Sequence, residues 1–448
     1  MNPLLREVLP ALGLTEAYAA EHLDLRPGSW LPSALAVNTL ACGSVAAAGL
    51  AGAAVRGGER VQVDPGQVAV SFRNDQLQTI DGAHPPAFAP LSGFFEASDG
   101  WVRTHANYPH HRDRLLRALD LPSTGVGREE LARAISERTA QEVEDVVTAD
   151  HGLAVMVRSV HDWMAGEQAA AVAQHEVLSV TSLGEANPVA VPKNPRVLDF
   201  TRVLAGPVAT RTLALLGCDV LRVDSPRLPE LEPLHLDTGA GKRSTLVDLH
   251  NPHARDQVHA LLDGADVLVT GYRPGALAAY GLDPDRLAQS HPHLVCASLT
   301  AWTPGGPWGV RRGFDSLVQA ATGIAELESP DDRTPGALPA QALDHATGYL
   351  LAAGVLSALR RRATHGGTWR VEAHLARTAH WLLQTDALDG PARPVADPTP
   401  WVVRSRTELG VVVQSRPAFR IDDGPTEFAW TGRRWGADEA RWAAPVRT

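Results

Sequence analysis

The stretch "RVLDFTRVLAGPVATRTLALLGCDVLRVD", Arg196 to Asp224, decides the fold. It opens on a short apolar run, passes through a helical segment closed by Gly217, and returns to an apolar run ending in Asp224. Strand, helix and strand at that spacing make one crossover of a parallel sheet. The acid at the end of the second strand sits where dinucleotide-binding folds hold a ribose. The turn after the first strand, however, reads "LAGP" where G-x-G-x-x-G is required. Without those glycines a pyrophosphate has no close approach to the backbone, which disfavours a nicotinamide dehydrogenase.

The alternation continues downstream through "STLVDL", a helix over 253–262, "ADVLVTGY", the helix "DPDRLAQS" and "LVCASL". Residues 196–385 therefore read as a large α/β domain with a Rossmann-like parallel sheet. Residues 90–180 differ. They hold the strand "WVRTHA", helices of about 10–12 residues, a capping box at Thr139 and Glu142, and the strand "LAVMV". This is the pattern of a smaller α+β domain. The Pro/Gly/Asn-rich segment 181–195 reads as the linker between the two. The tail 386–448, with many Pro, Arg and Trp, shows no clear period and is expected to wrap over the surface. Residues 1–89 form an N-terminal helical region, and within it 38–72 loosely repeats 343–382. Both are a small-residue helix, a Gly-Gly turn, a short strand and another helix.

With 448 residues the chain has length for two or three domains with full cores. Its 41 Lys+Arg against 51 Asp+Glu give a net charge of −10, which argues against nucleic-acid and anionic-membrane partners. Three cysteines, Cys42, Cys218 and Cys296, lie in apolar surroundings without a C-x-x-C pair, so a cytoplasmic location is expected. No hydrophobic signal core opens the chain. Ser33 to Val55 is uncharged, but its Ala and Gly with Asn38, Thr39 and Ser44 suit a buried helix better than a membrane span. No motif for a metal is present; His110 and His111 in "YPHHRDR" read as two solvated histidines. The run "GAGKRST" (239–245) fails as a P-loop: Leu236 takes the place of the first glycine, and Arg243 displaces the hydroxyl to Ser244.

From "VLDFTRVLAGPVATRTLALLGCDVLRVD" onward the chain resembles the class III CoA-transferase family, which includes formyl-CoA transferase, carnitine CoA-transferase and α-methylacyl-CoA racemase. The likeness runs through "GKRSTLVDL", "ADVLVTGYRPGALAAYGLD", "LVCASLTAWTPGGPW", "RRGFDSLVQAATG" and "ALDHATGYLLAAGVLSALRRR". "ASDGWVRTHAN" and "HGLAVMVRSVHD" resemble the family's small domain, which ordinarily follows the α/β half and here precedes it. The resemblance implies the class III CoA-transferase fold, with acyl-CoA as substrate rather than a bound cofactor, and a carboxylic acid as acceptor.

The resemblance also implies the site. Asp344 matches the family's nucleophile, which attacks the acyl-CoA thioester and passes through a mixed anhydride to an enzyme-bound CoA thioester. Asp344 opens a helix, where backbone N–H groups and the dipole favour negative charge; an ordinary N-cap is the alternative for an aspartate there. The positions that line CoA match Leu204 and Ala205, Val247 to His250, Gly271, Tyr272 and Arg273, and Arg312, Gly313, Phe314 and Asp315. Lys242-Arg243 matches a basic pair near CoA. Ser225 and Ala279 replace arginines of formyl-CoA transferase, and Leu204 replaces its glutamine, which disfavours formyl-CoA and oxalate.

Two other readings remain. An acyl-CoA racemase or epimerase needs a second base, and Phe314 stands where the racemase branch has histidine. A non-catalytic CoA-binding partner subunit also fits the permuted order. A homodimer is expected, because the apolar helices 36–55 and 342–362 each need a large covering surface.

Overall fold

The computed structural model describes residues 1–86, 88–422, 424–431 and 433–443. Its apolar runs form a seven-stranded sheet in the order 243–246, 219–224, 196–200, 267–270, 295–300, 368–374 and 179–184. Neighbours are parallel up to the last strand, which is antiparallel. Val197, Leu198, Val267, Val269 and Val295 are fully buried, because helices cover both faces; hence the strands read as continuous apolar runs. Counted from 196–200, six strands stand in the order 3-2-1-4-5-6 of a doubly wound sheet. The α/β fold expected from the sequence is the fold observed.

The connecting helices start where the sequence caps them. Asn251 accepts from His253 N at 3.0 Å with Pro252 at the first helical position, and Asp283 with Pro284 repeats the device. The first helix, Ala205–Leu215, begins ahead of its apolar run because Pro207 is tolerated in a first turn, where no intrahelical donor is needed.

The helix Ala342–His365 crosses the interior and is buried along 342–359. The helix Val37–Arg56 lies along it. Both are long and apolar enough to cross a bilayer, yet both are buried in one shared apolar core. The loose repeat has the same order of elements in both places. Val37–Arg56 turns at Gly57-Gly58 into the strand Val61–Val63 and the helix Pro65–Phe72. Ala342–His365 turns at Gly366-Gly367 into Thr368–His374 and Leu375–Gln384. All four turn glycines have positive φ, between 71° and 110°, a region costly for other residues. The helices expected to need a partner's surface therefore cover each other within one chain.

Strands Gly93–Glu96, Trp101–Thr104 and Ala154–Met156 form an antiparallel sheet. With the helices Pro109–Ala118, Arg128–Ser136 and Ala140–Ala149 they enclose a separate apolar cluster. The capping box is present, with Thr139 N donating to Glu142 Oε2 at 2.8 Å. Glu144 joins this unit to the large sheet's loops: it accepts from Arg158 Nη1 at 2.8 Å and from Arg311 Nη1 at 3.2 Å.

Two sequence expectations are corrected. The connection 181–195 begins inside a strand, Ser179–Gly184, because "SVTSLG" completes the edge of the large sheet. The tail is not merely a surface wrap. Val402–Thr407 and Gly410–Ser415 form a hairpin paired to Thr79–Ile80, and Phe419–Ile421 pairs with Val61–Val63. Its tryptophans act as pins: Trp430 Nε1 donates to Lys242 O at 3.0 Å and Trp435 Nε1 to Asp224 Oδ2 at 2.9 Å.

Candidate active site

Open doubly wound sheets bind ligands outside the carboxyl ends of the strands, where the strand order reverses. Here that point lies between 196–200 and 267–270. A cavity of about 400 Å³ opens there. From the loop after the first strand it receives Leu204 and Ala205; from the loop after the fourth, Gly271, Tyr272 and Arg273. Arg312, Gly313 and Phe314 close another side, and Asp344 lies among the lining residues. The structure thus brings nine residues expected from the sequence to one cavity.

The loop Arg202–Leu204 is under strain. Val203 holds φ at +69°, which a β-branched residue rarely adopts. Its N–H donates to Glu230 Oε2 at 3.2 Å, and Arg222 Nη2 donates to the same carboxylate at 2.7 Å. Burial alone would raise the Glu230 carboxyl, but Arg222 and Arg202 outweigh it and hold it at about 2. An ionised anchor therefore fixes the strained loop that opens the helix Ala205–Leu215.

Asp344 is 7% exposed. Its N–H donates to Asp315 Oδ2 at 2.9 Å. Burial, then the Asp315 and Asp75 carboxyls, push the Asp344 carboxyl well above the ordinary range. Burial also raises Asp75, to about 6. One turn on, Gly348 allows close helix packing, since a Cβ there would lie 2.4 Å from Ala205 O. Two helix N-termini thereby converge on the cavity that Asp344 lines, and both dipoles favour negative charge there. Asp344 is thus a carboxyl held back from water at the wall of the cavity.

The cavity also has a wall that sequence reasoning missed. Tyr108, His110, His111 and Arg114, from the start of the helix Pro109–Ala118, line it together with Arg202. The expectation of two solvated histidines is corrected: His111 is 5% exposed and packs edge-on against Phe314 at 5.6 Å. His105 stacks on the same ring at 3.8 Å. Burial and neighbouring cations lower both imidazoles, His105 to about 3 and His111 to about 2, so both are neutral at ordinary pH. The only sequence signal was the density of ring and cationic residues in "YPHHRDR", because the docking of that helix on the crevice is a tertiary event.

Five matched positions, Val247 to His250 and Asp315, do not line the cavity. Val247 is buried in the apolar cluster beneath the sheet. His250 is exposed, with Nδ1 3.0 Å from Asp248 Oδ1. Asp315 is fully buried behind Asp344, where it caps the helix rather than meeting a ligand. Ser225 and Ala279 are also outside the lining. The basic pair is structural: Lys242 Nζ donates to Asp199 Oδ2 at 3.0 Å and Thr210 Oγ1 at 2.8 Å, while Arg243 pairs with Asp219 at 2.8 Å. Burial lowers the Lys242 ammonium to about 8 despite Asp199.

The site is a crevice at the switch point of a doubly wound α/β sheet, lined by the buried Asp344 and five arginines. Residues 193–432 match CoA-transferase family III, and the chain belongs to that family. It is 35% identical over 247 residues to a probable fatty acyl-CoA transferase, Rv3272, of Mycobacterium tuberculosis, covering 51% of this chain and 62% of that one. It is 27% identical over 332 residues to the acetyl-coenzyme A transferase nodX of Hypoxylon pulicicidum, covering 66% and 55%. It is 32% identical over 190 residues to a formyl-CoA:oxalate CoA-transferase of Rhodopseudomonas palustris, covering 40% and 44%. The chain thus spans 44–62% of the length of these relatives. A crystal structure of Rv3272 is similar with a TM-score of 0.39 at 36% identity, over 43% of this chain and 56% of that one.

Proposed function

We propose that the protein transfers CoA from an acyl-CoA thioester to a carboxylic acid, with Asp344 as covalent nucleophile. The observation that carries this reading is the Asp344 carboxyl, buried yet lining a cavity at the switch point of the sheet, with arginines at the cavity's wall. The Asp344 carboxylate attacks the thioester carbonyl, forming a mixed anhydride and releasing CoA thiolate. The thiolate then attacks the aspartyl carbonyl, releasing the acid and leaving CoA on Asp344 as a thioester. The acceptor carboxylate attacks that thioester to give a second anhydride and free thiolate. Attack of the thiolate on the acceptor's acyl carbon yields the new acyl-CoA and restores Asp344. Every step exchanges one anion for another, so no proton donor is needed, which suits the neutral His105 and His111.

Hydroxylamine tests the proposal. With a panel of acyl-CoA thioesters it should leave a hydroxamate on Asp344, and turnover without that adduct would remove Asp344 from the chemistry. One observation favours a second reading, an acyl-CoA racemase or epimerase: His110 and His111 line the same cavity beside Phe314 and offer a second base. That reading requires solvent deuterium at the α-carbon of the recovered acyl-CoA, whereas the transferase reading requires none. A non-catalytic CoA-binding subunit would give neither result.

A further inference from the structure

Two of the five arginines that line the cavity are matched by carboxylates. Arg311 donates to Glu144 at 3.2 Å, and Arg202 lies 3.7 Å from Glu230. Arg114, Arg273 and Arg312 are different. All three line the cavity, and among the described residues none is paired with a carboxylate. Arg114 Nη1 and Arg312 Nη1 donate to one carbonyl, His151 O, at 3.0 and 3.4 Å. His151 holds φ at +58°, a second strained position beside the cavity. The Arg312 guanidinium is lowered by burial and then by the charges of Arg114 and Arg273.

Three guanidinium groups held close without a counter-charge make a site completed by a multiply charged anion, and planar forks of donors suit phosphate oxygens. Arg273 and Arg312 also border a smaller cavity of about 200 Å³, beside Trp308 and Val310. The arginines therefore stand between two cavities, where an elongated ligand has its charged middle. Arg273 and Arg312 come from loops of the large sheet, but Arg114 comes from the helix Pro109–Ala118 of the separate antiparallel unit.

We infer that Arg114 completes a phosphate clamp with Arg273 and Arg312, so that the phosphates of CoA are gripped by both units of the chain at once. The inference rests on the CoA-binding reading above and adds to it a ligand contact from the small unit. CoA bound this way ties the helix Pro109–Ala118 to the crevice and fixes the wall of the cavity formed by His111.

Calorimetric titration with CoA, and with pantetheine, which lacks the phosphates, tests this on the full chain. Arg114→Gln should weaken CoA by about 10- to 100-fold, the loss of a charge-assisted contact. Its affinity for pantetheine should stay at the wild-type value. Arg114→Lys, which keeps the charge, should recover part of the loss. Arg117→Gln, on the same helix but paired with Asp150, should bind CoA as wild type does. Wild-type CoA affinity in Arg114→Gln would overturn the clamp and leave the CoA reading standing. Equal loss of CoA and pantetheine would overturn it too, by showing a damaged fold. Failure of the wild-type chain itself to bind CoA would overturn both.

Discussion

The N–H of Asp344 donates to Oδ2 of Asp315 at 2.9 Å, so two buried carboxyl groups share one helix N-terminus. The arrangement separates their tasks. Asp315 is spent on capping, while Asp344 lines the cavity. Burial raises both carboxyls; the Asp315 carboxyl raises Asp344 further, while the hydrogen bond from Asp344 N–H pulls Asp315 down.

A pH dependence follows. A carboxyl whose pKa is higher in the folded chain than in the unfolded one stabilises the fold fully below the unfolded value, about 4. That contribution is lost as pH rises through the folded value. Asp344, Asp315 and Asp75 all lie in this class. The melting temperature should fall as pH rises from about 4 through about 6, the value of Asp315 and Asp75, and Asp344→Asn should reduce the fall. An unchanged slope in that variant would mean that Asp344 titrates normally.

Asp344→Asn should also lower transfer by about a thousandfold or more. Its CoA affinity should stay within about tenfold, or about 1.4 kcal/mol. Steady-state rates and calorimetry on one preparation check both halves.

Asp315→Asn tests the positioning role. The amide oxygen still accepts from Asp344 N–H, but the like charge is gone. The acid limb of the rate profile should therefore move to lower pH while CoA affinity holds. Asp315→Ala removes the cap as well and should cost about 1–2 kcal/mol of stability.

Lys242 and Asp199 are a buried pair, so breaking it leaves one charge without a partner. Asp199→Ala should destabilise by about 3–5 kcal/mol, read by denaturant melts. Lys242→Met removes the positive charge from beside Asp199 and should likewise be read in stability. CoA affinity of the folded fraction of either variant should match wild type.

Much of this site was legible in the sequence, and the losses have physical causes. The strands of the large sheet were visible because burial on both faces writes them as unbroken apolar runs, as in Val267 to Val269. Asp344 and Arg273 were legible because each stands in a local motif at the end of an element. Lys242 was misread because neighbours on an extended backbone point to opposite sides. One turns inward to Asp199 and the other to Asp219. His111 and Arg114 were illegible as site residues. Their place depends on how a helix from another unit docks on the crevice, which no local pattern records. The tail hairpin was hidden by its Pro- and Arg-rich flanks, although "VVRSRT" and "GVVVQS" alternate as strands do.

Assembly offers a further check. The reason to expect a homodimer was the cover that two apolar helices need, and Val37–Arg56 and Ala342–His365 supply it to each other. Light scattering at micromolar concentration distinguishes one chain, 47.8 kDa, from the expected homodimer. Twice that mass would show a second interface elsewhere on the molecule.

The central claim is that Asp344 exchanges an oxygen with the acids it serves. Each anhydride step transfers one oxygen between the Asp344 carboxyl and a carboxylate, so an acceptor acid labelled in both oxygens must mark the enzyme. After turnover with acyl-CoA and heavy-oxygen-labelled acceptor acid, mass spectrometry of the peptide carrying Asp344 should find label on that residue and on no other carboxylate. Completed transfer with Asp344 unlabelled would contradict the covalent mechanism.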